Sequence, residues 1–171
     1  MFAGGPAINI IAAKAICFKE ALQPSFSTYA QQTILNAQIL AQHLKEKGAA
    51  VLSGTTENHM ILLDVTKSFG LTGKAAEDAC TQIGLYLNRN LLPNDPHGAK
   101  YCSGIRIGTP AVTTRGLKEK EMQKIGDILY DALKKATPSG ALNKKDMECL
   151  KSQVQELLSN FPLYPEIRSF L

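Results

Sequence analysis

The chain has 171 residues, 44% of them hydrophobic and 20% charged, which is the composition of one ordinary globular domain with its own core. Its formal net charge of +4 is small and is not concentrated in one segment, which argues against a nucleic-acid partner. No apolar run approaches the roughly 20 residues that a membrane span needs, so we expect no membrane-spanning segment.

The N-terminus lacks the basic region of a secretory signal, and Lys14 interrupts its apolar stretch. We therefore expect a reducing, cytoplasmic location. The cysteines are far apart and have no CxxC spacing, which predicts buried free thiols at Cys17, Cys80, Cys102 and Cys149. No metal site is expected, because the histidines lie in three different elements, at His43, His59 and His97.

Two helices are predicted at the start of the chain. An alanine-rich stretch with helical periodicity follows residues 4–6 and continues to about residue 22. Pro24 interrupts this pattern, and Ser25 is suited to cap a second helix. The second helix is predicted to end at Gly48.

Short apolar runs predict the strands of a small sheet. Residues 49–53 and 59–65 flank a turn-rich segment and form the first two predicted strands. A helix is predicted to begin at Thr72, followed by short strands at residues 85–87 and 104–109.

The remaining segments complete the predicted order. Residues 88–102 are rich in Asn, Pro, Asp and Gly, and their composition predicts a long loop that is a candidate for function. Residues 110–116 predict a turn or single helical turn, and two amphipathic helices follow, the second over about 142–160. The order ααββαββαα indicates an α+β fold, with a short, mainly antiparallel sheet and helices packed on one side.

Arg106 stands between two isoleucines in the strand predicted over residues 104–109. Such a residue either pairs with a carboxylate inside the fold or lies beside a ligand pocket. In the second case its bidentate guanidinium can grip a ligand carboxylate in a way that lysine cannot reproduce. Its position in the sequence leaves both interpretations open.

Gly4-Gly5-Pro6 precedes the first predicted helix. Exposed backbone N–H groups at a helix start can bind a phosphate when glycine allows it to approach closely. Most Gly-Gly-Pro sequences are ordinary turns, so this pattern is a weak indication on its own. No GxSxG motif is present, and a hydrolase therefore has little support.

Six segments resemble the serine hydroxymethyltransferase family of pyridoxal-phosphate enzymes, and they occur in that family's order. The most specific of them is S-G-I-R-I-G-T-P-A-V-T-T-R-G at 103–116. The others are G-G-P at 4–6 with I-A-A-K-A at 11–15, E-N-H-M-I-L-L-D-V at 57–65, L-T-G-K-A-A-E at 71–77, N-R-N-L-L-P-N-D-P at 88–96 and F-P-L-Y at 161–164.

The resemblance implies that the chain is the C-terminal part of a longer enzyme, with the small-domain fold of fold-type I pyridoxal-phosphate enzymes. Residues 1–22 would be a connecting segment and helix from the large domain, and residues 23–171 the small domain. The complete enzyme would be a homodimer or homotetramer that uses pyridoxal phosphate. It would interconvert serine plus tetrahydrofolate with glycine plus 5,10-methylenetetrahydrofolate.

The resemblance also assigns roles to individual residues. Arg106 matches the family's arginine for the carboxylate of the amino-acid substrate, and Asn90 matches an asparagine that contacts the folate pterin. Gly5 matches a glycine whose backbone reaches the cofactor phosphate across the dimer. Arg115 and His59 match family positions as well, and we interpret them as structural.

Some family features are missing from the chain. No lysine occurs in the Thr-His-Lys context that forms the Schiff base, so we expect no catalytic residue here and no activity of the chain alone. Asn9 replaces a usual histidine, and residues 97–101 replace a usual Ser-Pro-Phe stretch, which affects the expected folate contacts. The alternative hypothesis is a stand-alone, non-catalytic binding or interaction module.

Overall fold

Two helices come first in the chain. The computed structural model describes residues 4–163, in which α1 spans Ile8–Ala21 and α2 spans Pro24–Glu46. The N-cap of α2 is Gln23, so the prediction that Ser25 caps this helix is wrong. Proline suits the first helical turn, because its φ is already helical and its missing N–H has no partner there.

Helix α1 makes little contact with the rest of the fold. None of its residues is buried. Its large apolar side chains are between 50% and 71% exposed, and they are Ile8, Ile10, Ile11, Ile16 and Phe18. Isolated helices of this length are marginal in water, and an apolar surface of this kind marks an interaction site.

Four antiparallel strands form one sheet in the order β1-β2-β4-β3. Their bounds are Ala50–Val51 for β1, Met60–Asp64 for β2, Asn88–Asn90 for β3 and Gly104–Gly108 for β4. The prediction of a strand at residues 85–87 is wrong by three residues. Leu85 and Leu87 pack against the core from a connecting segment, while the polar residues that follow pair with β4.

The central strands β2 and β4 separate a buried face of the sheet from an open one. Side chains of one face are paired in register, Ile61 with Ile107 and Leu63 with Ile105, and all four are buried. Successive residues of a strand point to opposite faces. Arg106 therefore lies on the open face, where it is exposed.

Six further helices complete the described part. They are α3 (Val65–Phe69), α4 (Gly73–Gln82), α5 (Gly98–Tyr101), α6 (Pro110–Thr114), α7 (Glu119–Lys135) and α8 (Lys144–Ser159). Helix α3 was not predicted. The long loop predicted over residues 88–102 contains both β3 and α5, because each is too short to produce a periodic pattern.

The helices cover the buried face of the sheet. Its isoleucines and leucines join one core with α2, through residues such as Leu40, and with α7, through residues such as Met122. A second cluster joins α4, α7 and α8, and includes Ile83, Ile128 and Leu150. The predicted α+β fold with a small antiparallel sheet is therefore confirmed.

Helix α4 starts in direct contact with the backbone that leads into β4. The Gly73 N–H donates to the Cys102 carbonyl at 2.8 Å, and a Cβ atom on Gly73 would collide with the Gly104 carbonyl oxygen. Thr72 caps the helix by accepting a hydrogen bond from the Ala75 N–H at 3.2 Å. Only glycine permits this close approach at the first helical position.

The cysteines are free thiols, but only two of the four are buried. Burial raises the pKa of Cys80 to about 12, and Cys102 is buried as well. Cys17 and Cys149 are exposed, so the prediction is wrong for these two. Helix α1 exposes apolar residues that a periodic pattern alone assigns to the core, whereas Cys149 lies on the exposed side of α8.

Among residues 4–163, no helix is both long enough and apolar enough to span a bilayer.

Candidate functional site

A cleft of about 670 Å³ lies over the open face of the sheet. Leu62 on β2, Asn90 on β3 and Arg106 on β4 line it, and residues from the 52–58 segment form a further wall. Arg106 and Glu57 are the charged side chains among its lining residues. The cleft thus brings together two of the three site residues expected from the sequence.

Arg106 is held rigidly by the sheet on both sides. Its register partners are Leu62 on β2 and Asn88 on β3. Within residues 4–163 its side chain has no hydrogen bond or ion pair, whereas Arg89 pairs with Glu77 at 2.8 Å. The geometry favours the ligand-facing interpretation of Arg106 over that of a paired core arginine.

Asn90 is the last residue of β3 and pairs in register with Gly104. Its Nδ2 donates to the Leu91 carbonyl at 2.7 Å, which is how a loop asparagine commonly binds its own backbone. An amide has two N–H donors and an acceptor oxygen. One donor and the acceptor therefore remain for a ligand in the cleft.

The wall over residues 52–58 is fixed by local hydrogen bonds. Thr56 is buried, and its hydroxyl donates to the Met60 carbonyl at 2.6 Å. Asn58 Oδ1 accepts from the Met60 N–H at 2.8 Å. Ser53 has a φ of 58°, a left-handed conformation that is uncommon for a serine and is found at functional sites. The sequence predicted a strand over residues 49–53 followed by a loop, and the strand prediction is wrong for residues 52 and 53, which belong to a short 3-10 helix, Leu52–Gly54.

Asp95 ties together the connection between β3 and β4. Its side chain is only 3% exposed. It accepts hydrogen bonds from the Leu92 N–H at 3.1 Å, the His97 N–H at 2.9 Å, and the N–H and hydroxyl of Ser103, both at 2.7 Å. Burial opposes ionisation of this carboxyl, but these bonds outweigh it and hold the pKa of Asp95 well below its usual range.

The Asp95 carboxylate also determines the hydrogen bond between Ser103 and His97. His97 Nδ1 lies 2.9 Å from Ser103 Oγ. Because a carboxylate only accepts, the single hydroxyl proton of Ser103 points to Asp95, and His97 Nδ1–H is the donor to Ser103. Sequence analysis missed this network, since Asn-Asp-Pro at 94–96 indicates a turn and gives no sign of a partner at residue 103.

Gly5 lies apart from the residues that line the cleft. It precedes α1 and is exposed, and a Cβ atom placed on it would meet nothing within 4 Å. No side chain caps the N-terminus of α1. The first backbone N–H groups of this helix therefore remain available, as an anion would require.

Arg115 makes a side-chain contact that fits the structural interpretation, whereas the contact made by His59 comes from its backbone. Arg115 Nε donates to the Phe161 carbonyl at 3.0 Å and so connects the end of α6 with the segment after α8. The His59 carbonyl accepts from the Thr109 N–H at 3.1 Å. The last residue of the F-P-L-Y match, Tyr164, lies outside the described residues.

Comparison with known proteins gives consistent matches. The family model of serine hydroxymethyltransferase matches residues 1–129. A serine hydroxymethyltransferase of Koribacter versatilis is 45% identical over 97% of this chain. One of Methanospirillum hungatei is 42% identical over 96% of it. The chain spans 38% of the length of each of these relatives.

Proposed function

The chain belongs to the serine hydroxymethyltransferase family, and we propose that it works as the C-terminal part of such an enzyme. The reaction is the interconversion of serine plus tetrahydrofolate with glycine plus 5,10-methylenetetrahydrofolate. The observation that carries this proposal is an unpaired arginine on a rigid strand, beside an asparagine, in one cleft. The proposed location is the cytoplasm.

Arg106 binds the carboxylate of serine or glycine. Its guanidinium projects from the middle of β4, where neighbouring strands restrict its backbone on both sides. A bidentate pair with a carboxylate needs such a rigid backbone, because the two parallel hydrogen bonds are lost when the guanidinium plane tilts. No carboxylate among residues 4–163 forms an ion pair with this side chain, although Glu57 lines the same cleft, so the guanidinium N–H groups remain available to a ligand.

Asn90 binds the pterin ring of tetrahydrofolate. The ring has adjacent donor and acceptor atoms, and an amide can match them side by side. The bond from Nδ2 to the Leu91 carbonyl leaves one N–H and the oxygen for this purpose and fixes the plane of the amide. The two substrates would therefore meet over one sheet face, with Arg106 holding one and Asn90 the other.

Pyridoxal phosphate is the cofactor of the proposed enzyme, and this chain fits only its phosphate end. Gly5 and the uncapped start of α1 offer backbone N–H groups in open space, which suits a phosphate contributed across a dimer interface. When bound, the cofactor supplies the electron sink for the reaction. The Schiff-base lysine context is not in the sequence, so it must come from a part that these relatives have and this chain does not span.

The domain organisation follows the same proposal. Residues 1–22 connect to the large domain, and residues 23–171 form the small domain. The exposed apolar side chains of α1 support this division, since α1 adds nothing to the core of the small domain. The large domain or the second subunit of a homodimer or homotetramer would cover them.

The test is an assay of a full-length enzyme that carries this chain as its C-terminal part. Incubation with serine, tetrahydrofolate and pyridoxal phosphate is expected to yield glycine and methylenetetrahydrofolate in equal amounts. Absence of both products from a folded, cofactor-loaded enzyme would contradict the proposal.

A second candidate is a stand-alone binding module without catalysis. The observation in its favour is that the sequence contains no Schiff-base lysine context. The DNA upstream of the coding sequence separates the two candidates. A continuous reading frame with the lysine motif supports the enzyme, and a stop codon directly upstream supports the module.

A further inference from the structure

We infer that Asp95 is a positioning residue of this site, which holds the ends of β3 and β4 together so that Asn90 and Arg106 face one cleft. The inference rests on the proposed function, because it assigns Asp95 a role through the two residues that bind the substrates. Asp95 is not among the residues that line the cleft, so its action is indirect.

The carboxylate connects the two strands at their shared end. Its Oδ2 accepts from the Leu92 N–H, two residues after Asn90, and from the Ser103 N–H, directly before β4. Asn90 and Gly104 are register partners at this same end. Asp95 Oδ2 therefore fixes the backbone close to both Asn90 and Gly104. Because Gly104 lies two residues before Arg106 on β4, this also fixes the spacing between Asn90 and Arg106.

The backbone at Cys102 needs such an anchor. Cys102 has φ 56° and ψ 157°, a conformation that side chains rarely adopt. It is held on one side by the Gly73 N–H, which donates to its carbonyl at 2.8 Å. On the other side the next residue, Ser103, is held by Asp95. The Ser103 carbonyl also accepts from the Val65 and Thr66 N–H groups. Loss of the Asp95 bonds would therefore loosen Ser103 on its N–H side, next to Cys102, while its carbonyl stays held.

Leu92 transmits the same constraint to the open face of the sheet. A Cβ atom on Gly104 would lie 2.5 Å from Leu92 Cδ2, so the leucine lies directly over the strand. The Asp95 carboxylate fixes the backbone N–H of this leucine. Leu92 thus links the Asp95 carboxylate, through its backbone, to the open face of β4, through its side chain.

A carboxylate is required, because each of its oxygens accepts two hydrogen bonds. Oδ1 accepts from the His97 N–H and the Ser103 hydroxyl, and Oδ2 from the Leu92 and Ser103 N–H groups. An asparagine in this position would turn its NH₂ group either toward the Leu92 and Ser103 N–H groups or toward the His97 N–H and the Ser103 hydroxyl. The hydroxyl can reverse and accept, but the backbone N–H groups cannot, so at least one of them loses its acceptor. Asp95→Asn is therefore a conservative change in shape that removes half of the acceptor capacity.

The experiment measures KM for serine and for tetrahydrofolate in the full-length enzyme and in its Asp95→Asn variant. Both KM values are expected to rise by about tenfold, as misplacement of binding groups predicts. Combination with Asn90→Ala tests whether Asp95 acts through Asn90. In the Asn90→Ala background, Asp95→Asn should raise the KM for tetrahydrofolate by less than about threefold, because the effects of two changes on the same contact are not additive.

Asp78→Asn is the matched control, since Asp78 is a surface carboxylate paired with Lys74. This variant is expected to leave both KM values unchanged. If Asp95→Asn fails to fold, Ser103→Ala replaces it. That variant removes one of the four hydrogen bonds to Asp95, together with the bond between His97 Nδ1 and the Ser103 hydroxyl, and is expected to raise the same KM values by a smaller factor.

Two results would overturn the inference: a lowered melting temperature with both KM values unchanged, or KM effects that add fully to those of Asn90→Ala. The first would show that Asp95 only stabilises the fold, and the second that it does not act through Asn90. A full-length wild-type enzyme that makes no product from serine and tetrahydrofolate would contradict the proposed function instead.

Discussion

Arg106 on β4 lies directly opposite Leu62 on β2, and both side chains line the same cleft. The apolar neighbour reduces the water around the guanidinium, which strengthens a charge-assisted bond to a ligand carboxylate. Arg106 therefore has a rigid backbone and an apolar neighbour, and its side chain forms no ion pair with a carboxylate in the described part of the chain.

Arg106→Lys in the full-length enzyme should weaken serine binding by about 1.5–3 kcal/mol, because a bidentate pair becomes a single-point contact. The melting temperature should stay the same. Serine titration and thermal unfolding measure the two quantities. Arg89→Lys is the matched control, since Arg89 pairs with Glu77 and should leave serine affinity unchanged. Loss of stability with intact serine affinity would show that Arg106 is structural.

Asn90→Ala should raise the apparent KM for tetrahydrofolate about tenfold, which corresponds to about 1.4 kcal/mol of lost hydrogen bonding. Folate-independent cleavage of other β-hydroxy amino acids should stay near normal, because that reaction needs Arg106 and not the pterin contact. Steady-state kinetics of both reactions provide the measurement. Equal losses in the two reactions would mean that Asn90 shapes the cleft and does not bind folate.

The isolated chain should not attach pyridoxal phosphate to one specific lysine. The sequence lacks the Schiff-base lysine context, and the glycines before α1 can hold only a phosphate. Incubation with the cofactor, borohydride reduction and peptide mapping test this. Stoichiometric labelling at a single lysine would contradict the prediction.

The stability contributed by Asp95 should depend on pH in one direction. Its pKa is lowered in the folded chain, so this contribution is fully present above the unfolded pKa of about 3.9 and is lost as the pH falls toward the folded value. The difference in melting temperature between wild type and Asp95→Asn should be constant from about pH 5 to 7 and should shrink below about pH 4. A difference that persists unchanged at lower pH would exclude this linkage.

Gly73→Ala should destabilise the fold by at least about 2 kcal/mol, because the added methyl group meets the backbone of Gly104 and neither segment can move freely. Denaturant unfolding of the chain measures the effect. Gly4→Ala is the control, since a Cβ atom at Gly4 meets nothing within 4 Å. Equal stability of the two variants would show that α4 can shift away from β4.

Helices with long apolar stripes could be predicted from the sequence, because burial of one face imposes a period that many residues share. Met122 and Leu129 in α7 follow this pattern and are buried. Strand β3 could not be predicted, because it has three polar residues at the edge of the sheet. The nearby apolar residues Leu85 and Leu87 carried the stronger signal, although they lie in a connection.

The site was predictable only in part. The sequence singled out Arg106 by its apolar neighbours, and the family resemblance added Asn90 and Gly5. No local pattern indicated Asp95, because its partner Ser103 is eight residues away and the bond depends on how the chain folds back. The wall around Ser53 was missed for a similar reason, since a left-handed serine has no signature in the sequence.

The two faces of β4 differ in what they contribute: one packs into the core, and the other faces the cleft. Ile105 and Ile107 belong to the core, so changes there affect folding. Arg106, which lies between them, is exposed and contributes no packing to that core. A substitution at Arg106 should therefore cost little folding free energy. A change at this one position can alter the charge and shape of the cleft while the fold remains intact.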